Sequence, residues 1–331
     1  MGTDAPRPLD SSALDLDCAA ETARIQQWMT ETLPRMHKRG VVLGLSGGVD
    51  SSVCAALAVR ALGPNKVFGL MMPETDSSPT SAARGGRVAE QLRIRHETVN
   101  IGPALEALGC YRERDDAIRV LFPAYGAGWA SKIAIAGGAM GGVNFFKLVV
   151  QSPAGNVDER RLPIREYLRI VAATNYKQRL RKTVEYCYAD KLNYAVIGTP
   201  NRLEYDQGFF VKNGDGAADL KPIAHLYKTQ VYALARFLEL PADVVGSTPT
   251  TDTYSMQQGQ DEFYFTLPYA QMDLALWAHN HGVPAAELAA ALGLSVDRAE
   301  YVYSDIAAKR RATAYLHASP SLVTPVSEVG G

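Results

Sequence analysis

An apolar run that ends in a glycine turn and an acidic residue most restricts how this chain can fold. Residues 41–45 are all apolar or glycine, which is typical of a buried parallel strand. Ser46, Gly47 and Gly48 then form a tight turn, and residues 49–52 open an alanine-rich stretch. The sequence therefore predicts a strand, a glycine loop and a helix N-terminus in immediate succession.

Such a junction is suited to a polyanion. The first N–H groups of a helix lack partners within the helix, the dipole is positive there, and glycine removes the β-carbons that would block approach. A phosphate chain is the expected ligand. Asp50 would repel that chain unless Mg²⁺ lay between them, so a magnesium site is predicted beside it. The predicted nucleotide-binding residues are Ser46, Gly47, Gly48, Val49, Asp50, Ser51 and Ser52.

Strand and helix patterns alternate along the rest of the chain. Helices are predicted at 16–37, 52–62, 81–92, 168–189, 228–238, 268–279 and 296–317, and strands at 41–45, 66–72, 96–101 and 194–198. This alternation predicts right-handed βαβ units, and hence an α/β fold with a parallel sheet flanked by helices. The glycine loop leaves the carboxyl end of a strand, where open α/β sheets bind ligands.

The domain organisation predicted from the same patterns is simple. Residues 1–15 are expected to be a flexible N-terminal tail, 16–318 a single domain, and 319–331 a C-terminal tail. Residues 124–151 depart from the alternation because they are rich in glycine, alanine and other apolar residues. Lys132 and Lys147 leave too short an uncharged run for a membrane span. A lid and a subunit contact are both compatible with this segment.

Composition excludes several other classes of protein. The 34 basic and 35 acidic residues give a net charge of −1, which does not favour a nucleic acid partner. Four cysteines lie far apart without a C-x-x-C pair, so neither structural zinc nor a disulfide framework is expected. The first residues are not those of a secretory signal. The expected setting is a soluble enzyme of the cytoplasm.

Several motifs together resemble one known family. The loop lacks the Walker and dinucleotide-fold spacings, and its Ser-Gly-Gly-Val-Asp-Ser sequence resembles the pyrophosphate loop of N-type ATP pyrophosphatases. Further pieces at 175–181, 198–204, 208–219, 226–228 and 248–252 are similar, with their spacing, to the NAD synthetase family of the ammonia-dependent type. The resemblance runs from about residue 33 to 311 and implies an adenine-nucleotide alpha-hydrolase fold, which is Rossmann-like.

The resemblance implies an ATP-dependent amide ligase that adenylates deamido-NAD and then lets ammonia displace AMP. It implies that Asp50 and Glu204 hold Mg²⁺, and that Thr199, Lys228 and Thr250 contact ATP. Lys228 and Asp50 would also take part in catalysis, together with Glu204. Each residue has a plainer interpretation: Thr199 as a helix cap, Lys228 as a solvated lysine and Glu204 as a surface carboxylate.

For the acceptor, deamido-NAD, the resemblance implies a basic site. It places Arg179, Lys212, Asp219 and Lys309 there. Asp215 is the candidate for positioning ammonium and taking its proton, because only neutral ammonia attacks an acyl group. An aspartate that merely forms the Gly-Asp-Gly turn is the alternative.

Departures from the family pattern leave other functions open. Ala308 stands where the family has a histidine, and residues 102–169 are unlike the family. A ligase acting on another carboxylate and a non-catalytic nucleotide-binding regulator are therefore alternatives; a tRNA-thiolating relative would require catalytic cysteines and a basic surface. The family resemblance also implies a homodimer. Without a nitrilase-type glutaminase domain, ammonia is expected from solution or from a separate glutaminase.

Overall fold

The central sheet is built on β1 (Val41–Gly44), which pairs in parallel with β2 (Val67–Met71) and β7 (Ala195–Val196). β3 (Arg95–Thr98) pairs in parallel with β2, which gives the order β3-β2-β1-β7. The structure, a computed structural model, describes residues 8–136, 145–247, 254–256, 264–265 and 267–326. The predicted parallel sheet flanked by helices is confirmed.

The described part of the chain contains twelve α-helices, several of which cover the two faces of the central sheet. In chain order they are α1 (Cys18–Arg35), α2 (Val49–Leu62), α3 (Pro79–Gln91), α4 (Gly102–Ala107), α5 (Cys110–Arg119), α6 (Ile164–Leu192), α7 (Arg202–Gln207), α8 (Lys228–Phe237), α9 (Ala242–Val245), α10 (Tyr269–Asn280), α11 (Ala285–Leu292) and α12 (Val296–His317). Short 3-10 helices span Ser11–Leu14 and Pro64–Lys66. No described helix is long and apolar enough to cross a membrane.

β1 is apolar throughout because it is covered on both faces. Val41 and Leu43 pack with residues of α1, α2 and α8, whereas Val42 points to the opposite face and packs with residues of α4, α5 and α6. Alternate residues of a strand face opposite sides of a sheet, so two hydrophobic clusters share one strand. This burial fixes the position of the loop that follows β1.

Most predicted elements agree with the structure, and the differences are local. α2 begins at Val49 rather than at residue 52, so Asp50 lies in its first turn. β3 ends at Thr98, three residues earlier than predicted. The predicted N-terminal tail also contains the Ser11–Leu14 helix, whose Leu14 is buried in a cluster with residues of α10 and α12. That apolar contact is long-range and leaves no periodic pattern in so short a segment.

The segment after α5 contains an antiparallel sheet that the sequence did not predict. β4 (Ala130–Ala136) pairs with β5 (Phe145–Gln151), and β5 pairs with β6 (Val157–Arg161). Its core consists of Ile133, Leu148 and Val150 packed with residues of α5 and α6. Glycine, alanine and other apolar residues follow one another throughout residues 124–151. They hide the polar–apolar alternation that would indicate strands. Residues 137–144 of this segment lie outside the described residues.

Candidate active site

The glycine loop lies where β1 ends and α2 begins. Gly48 is the N-cap of α2, and Ser51 Oγ and Ser52 Oγ donate to its carbonyl oxygen at 3.1 and 2.8 Å. Ser46 Oγ lies 3.2 Å from Ser51 Oγ and accepts from the Gly48 N–H at 3.3 Å. These bonds hold the loop around the first turn of α2, where a helix presents N–H groups to an anion.

Gly47 is required at its position by backbone geometry. Its φ is +76°, a left-handed conformation that side chains disfavour, and a β-carbon would collide with the carbonyl oxygen of Ser81. Arg84 Nε, from α3, donates to the Gly47 carbonyl oxygen at 3.1 Å. The backbone of Ser81 and the guanidinium of Arg84, both from α3, thus lie against the same side of the loop.

Asp50 and Lys228 form an ion pair beneath the loop. Lys228 Nζ donates to Asp50 Oδ2, and Asn201 Nδ2 donates to Asp50 Oδ1 at 3.2 Å. Lys228 is completely buried, although it is the first residue of α8. Burial alone would lower the pKa of Lys228, but the carboxylates of Asp50 and Glu204 raise it above the usual lysine value. The interpretation of Lys228 as a solvated lysine is wrong.

Glu204 completes this cluster from α7. It is the third residue of that helix, and one carboxylate oxygen accepts from the Asn201 N–H at 3.1 Å in a capping box. Desolvation and the charge of Asp50 raise the pKa of Glu204 to about 8, against the opposing charge of Lys228. The single buried ammonium pairs with Asp50 and offsets the charge of Glu204 only in part, so the site favours a further cation or proton.

These carboxylates can hold a metal ion only together with a bound phosphate chain. Among the described residues, no group of three or more histidine, cysteine, aspartate or glutamate side chains could hold a metal ion alone. Asp50 and Glu204 provide two carboxylates, and Mg²⁺ in nucleotide enzymes is held by one or two carboxylates plus phosphate oxygens and water. The donor set therefore fits Mg²⁺ bound together with a phosphate chain.

A cavity of about 720 Å³ opens from the glycine loop. Its lining includes most of the residues predicted from the sequence: Ser46, Gly48, Val49, Asp50, Ser51, Arg179, Thr199, Glu204, Lys212, Asp215, Lys228 and Lys309. Gly47, Ser52 and Asp219 are not part of the lining. Thr250 lies outside the described residues.

The three cations predicted for the acceptor reach the same cavity from three elements. Arg179 Nε, on α6, donates to the Lys212 carbonyl oxygen at 3.2 Å. Lys212 Nζ donates to the carbonyl oxygens of Tyr315 and Ala318 at 2.6 and 3.0 Å, at the carboxyl end of α12. Lys309 Nζ lies 2.7 Å from Asp305 Oδ2, and burial lowers the pKa of Lys309. Arg179 is the most exposed of the three.

The two aspartates of the 208–219 motif have different surroundings. Asp215 lines the cavity, its Oδ1 accepts from the Val211 N–H at 2.7 Å, and burial raises its pKa. Asp219 instead accepts from the Val196 N–H at 2.7 Å and from the Tyr186 hydroxyl at 3.2 Å. Asp219 therefore fixes the edge of β7, whereas Asp215 both closes a turn and faces the cavity.

Four charged side chains of the cavity wall were not among the predicted site residues. Arg84 and Arg181 line it, and so do Lys182 and Glu185, which form a buried ion pair of 2.6 Å on α6. Burial raises the pKa of Glu185. The order of the strands offers one signal for Arg84: α3 follows β2, whose carboxyl end lies beside that of β1. No comparable signal identifies Lys182 or Glu185.

Lys177, in the helix predicted at 168–189, does not line the cavity but supports its wall. Its buried ammonium lies 3.1 Å from Glu74 Oε1 and also pairs with Asp76. The Tyr111 hydroxyl donates to Glu74 Oε2 at 2.8 Å. These contacts fix residues 73–78, of which Pro73, Ser77 and Ser78 reach the cavity.

Asp273 is a further buried acid that the sequence did not indicate. It lies on α10, and its two carboxylate oxygens accept from the N–H groups of Lys228 and Thr229 at 3.2 and 2.7 Å. It thereby caps the N-terminus of α8 from outside that helix. Burial raises the pKa of Asp273 to about 6. Asp273 thus positions the backbone that carries Lys228.

Comparison with known proteins places these features in one family. The sequence model of the NAD synthase family matches residues 21–119 and 151–312. The NH(3)-dependent NAD(+) synthetase of Rhizobium meliloti (strain 1021) is 57% identical over 320 residues, which cover 96% of each chain. The internal region without a match, 120–150, includes all of β4 and nearly all of β5. This unmatched region is shorter than residues 102–169, which the sequence alone indicated to be unlike the family.

Two solved structures show that the fold is shared. The NMN synthetase of Francisella tularensis has a TM-score of 0.64 at 22% identity, covering 94% of this chain and all of that one. The NH3-dependent NAD synthetase of Campylobacter jejuni, in complex with the nitrate ion, has a TM-score of 0.61 at 21% identity, covering 93% of this chain and all of the other.

Asp273 leads to a prediction about stability and pH. Its pKa is raised in the folded protein from 3.8 to about 6, so the stability it contributes is present below pH 4 and is lost as pH rises through 6. The free energy of unfolding of Asp273→Asn, relative to wild type, should therefore rise between pH 4 and 7 by on the order of 3 kcal/mol. Urea unfolding at each pH measures this. Asp190→Asn, at an exposed position, is the control. If the free energies of unfolding of wild type and Asp273→Asn change in parallel with pH, the prediction is wrong.

Proposed function

This chain belongs to the NAD synthase family, and we propose that it is an ammonia-dependent ligase that converts deamido-NAD to NAD at the expense of ATP. The observation that carries this proposal is the cluster of Asp50, Glu204 and Lys228 beneath the glycine loop. A buried ammonium with two carboxylates suits a site that must bind a phosphate chain with its metal. The name of the 57% identical relative supports the choice of acceptor and of nitrogen source.

In the first step, the ATP phosphates would lie on the loop and the first turn of α2. Asp50 and Glu204 would hold Mg²⁺, which supplies positive charge to the phosphate oxygens. The acceptor carboxylate attacks the α-phosphorus, and pyrophosphate leaves as its bond to that phosphorus breaks. Lys228 is placed to neutralise charge that grows on the leaving group, since an electrostatic element preorganised for a transition state need not rearrange.

In the second step, ammonia attacks the acyl carbon of the adenylate and AMP leaves. Asp215 would receive the proton that ammonium must lose, because its carboxylate faces the cavity and burial raises its pKa. Arg179, Lys212 and Lys309 would bind the acceptor, whose pyrophosphate and carboxylate are anionic. Asp219 would contribute to the acceptor site indirectly, through its hydrogen bonds to Val196 and Tyr186.

We also propose that the protein acts as a homodimer that includes α6 in its interface. Ile164, Leu168 and Tyr176 form an exposed apolar stripe on one face of that helix, with exposed fractions of 69, 57 and 43%. A stripe of this kind favours burial against a partner. Ammonia would come from solution or from a separate glutaminase.

The reaction itself can be tested directly. Purified protein with deamido-NAD, ATP, Mg²⁺ and ¹⁵N-labelled ammonium should yield labelled NAD, AMP and pyrophosphate, as measured by mass spectrometry. Glutamine alone should give no product. ADP and phosphate as products would contradict the proposed chemistry, and turnover of another carboxylate with deamido-NAD inert would assign a different acceptor. Binding of ATP without any turnover would indicate a regulator.

The carboxylate cluster can be tested by Asp50→Asn and Glu204→Gln. Each should lower kcat about a hundredfold or more, since each removes an electrostatic element of the transition state. Glutamine keeps the capping box of α7, so folding should survive in the second variant. Glu90→Gln, an exposed residue of α3, is the control. Near-normal kcat in either variant would remove that residue from the mechanism.

The oligomeric state can be tested by Leu168→Glu. Light scattering after gel filtration should show a dimer for wild type and a monomer for the variant, because a charge would be buried at the interface. Val326→Glu places the same charge at an exposed apolar position near the C-terminus and should leave the dimer intact. A monomeric wild type would contradict the proposal.

A further inference from the structure

We propose that the apolar wall at the far end of the cavity binds the adenine base of the dinucleotide acceptor, and thereby selects a dinucleotide over a mononucleotide. This aromatic wall consists of Phe146 and Tyr167, with Ile135, Val171 and Tyr254 beside them; all five line the cavity. The inference rests on the proposed function, because it concerns recognition of the acceptor in that reaction.

The wall is centred on a pair of stacked rings, one from β5 and one from α6. Phe146 on β5 and Tyr167 on α6 are stacked, with ring centroids 4.2 Å apart and planes 16° from parallel. Ile135 on β4 is the register partner of Phe146 across the antiparallel pair and remains 37% exposed. Val171 follows Tyr167 by one helical turn, and the half-buried Tyr254 packs in the same hydrophobic cluster as that ring. The result is a flat apolar surface with a preorganised ring pair.

Helix α6 shows how far this wall lies from the glycine loop. The residues of α6 that line the cavity run from Tyr167 to Glu185. The Glu185 carboxylate lies against Gly44 at the end of β1, so that a β-carbon on Gly44 would come within 3.0 Å of it. At the helical rise, Tyr167 is about 27 Å from that point. The cavity is therefore long, with the phosphate loop at one end and the aromatic wall at the other.

The middle of the cavity is polar and cationic. Asn175, Gln178 and Arg179 occupy the stretch of α6 between the two ends, and Lys212 lies beside Arg179. A dinucleotide whose nicotinate carboxylate reaches the α-phosphate of ATP would place its own pyrophosphate in this middle stretch. Its second base would then extend towards the aromatic wall. A mononucleotide acceptor ends before the wall.

The surface of the wall suits a nucleobase better than another part of either substrate. Every base offers a flat π-face that stacks on aromatic rings, and loss of one such ring costs about tenfold or more in binding. The adenine of ATP is disfavoured as the occupant because the ATP phosphates are expected at the opposite end. Ile135 and Phe146 belong to the 120–150 region that the family model does not match. The selection is thus assigned in part to residues outside the two matched segments.

The test compares two acceptors in one assay. For wild type, Phe146→Ala and Tyr167→Phe, kcat/KM is measured for deamido-NAD and for nicotinate mononucleotide, with KM for ATP measured in parallel. Phe146→Ala should lower the preference for deamido-NAD about tenfold through KM, with kcat and KM for ATP unchanged. Tyr167→Phe keeps the ring and should keep the preference. Phe68→Ala is the matched control, because Phe68 stacks on Tyr188 outside the cavity.

The outcomes separate this inference from the proposed function. Failure of wild type to use deamido-NAD at all would refute the proposed function. If wild type uses deamido-NAD and Phe146→Ala keeps the wild-type preference, the role of the aromatic wall is refuted while the proposed function stands. A rise in KM for ATP instead would assign the wall to ATP, and a change in oligomeric state on light scattering would make it a subunit contact. Either result overturns the inference.

Discussion

The buried ammonium of Lys228 is the constraint on which the site depends. A completely buried charge is tolerated only when it is paired, and the carboxylate of Asp50 pairs with it while the charge of Glu204 acts on it from nearby. These three residues come from α8, α2 and α7, and their convergence fixes those helices around the end of β1. Asp273 supports the arrangement from α10 by capping α8. The charge cluster is thus also a structural centre.

The same cluster is electrostatically incomplete without a ligand. One ammonium serves two carboxylates, and the raised pKa of Glu204 reflects the repulsion and desolvation that remain. In the reaction that we propose, Mg²⁺ with its phosphates would relieve this repulsion and place a cation where charge moves during transfer. Folding and catalysis would then use the same groups for different purposes.

Helix α6 organises the rest of the cavity. Its residues line the cavity from the glycine loop to the aromatic wall, and its Lys177 fixes residues 73–78. Ile164, Leu168 and Tyr176 of the same helix are exposed. A single long helix thus connects the nucleotide end, the acceptor end and the surface that we assign to the dimer.

The sequence by itself determined the strand, loop and helix at residues 41–62, the parallel sheet and most helix bounds. These depend on local patterns: an apolar run, a glycine turn and helical periodicity. It also indicated Asp50, Glu204 and Lys228, because each belongs to a short motif at the end of a strand or helix.

Only the tertiary structure decided which side chains share the cavity. Arg84, Glu185 and Asp273 belong to no motif, since their roles arise from neighbours distant in sequence. Asp219 belongs to a motif, yet it bonds β7 outside the lining residues. The antiparallel sheet was missed for the same physical reason: strand pairing is a long-range contact, and within a run of glycine and apolar residues the sequence carries no period that would reveal it.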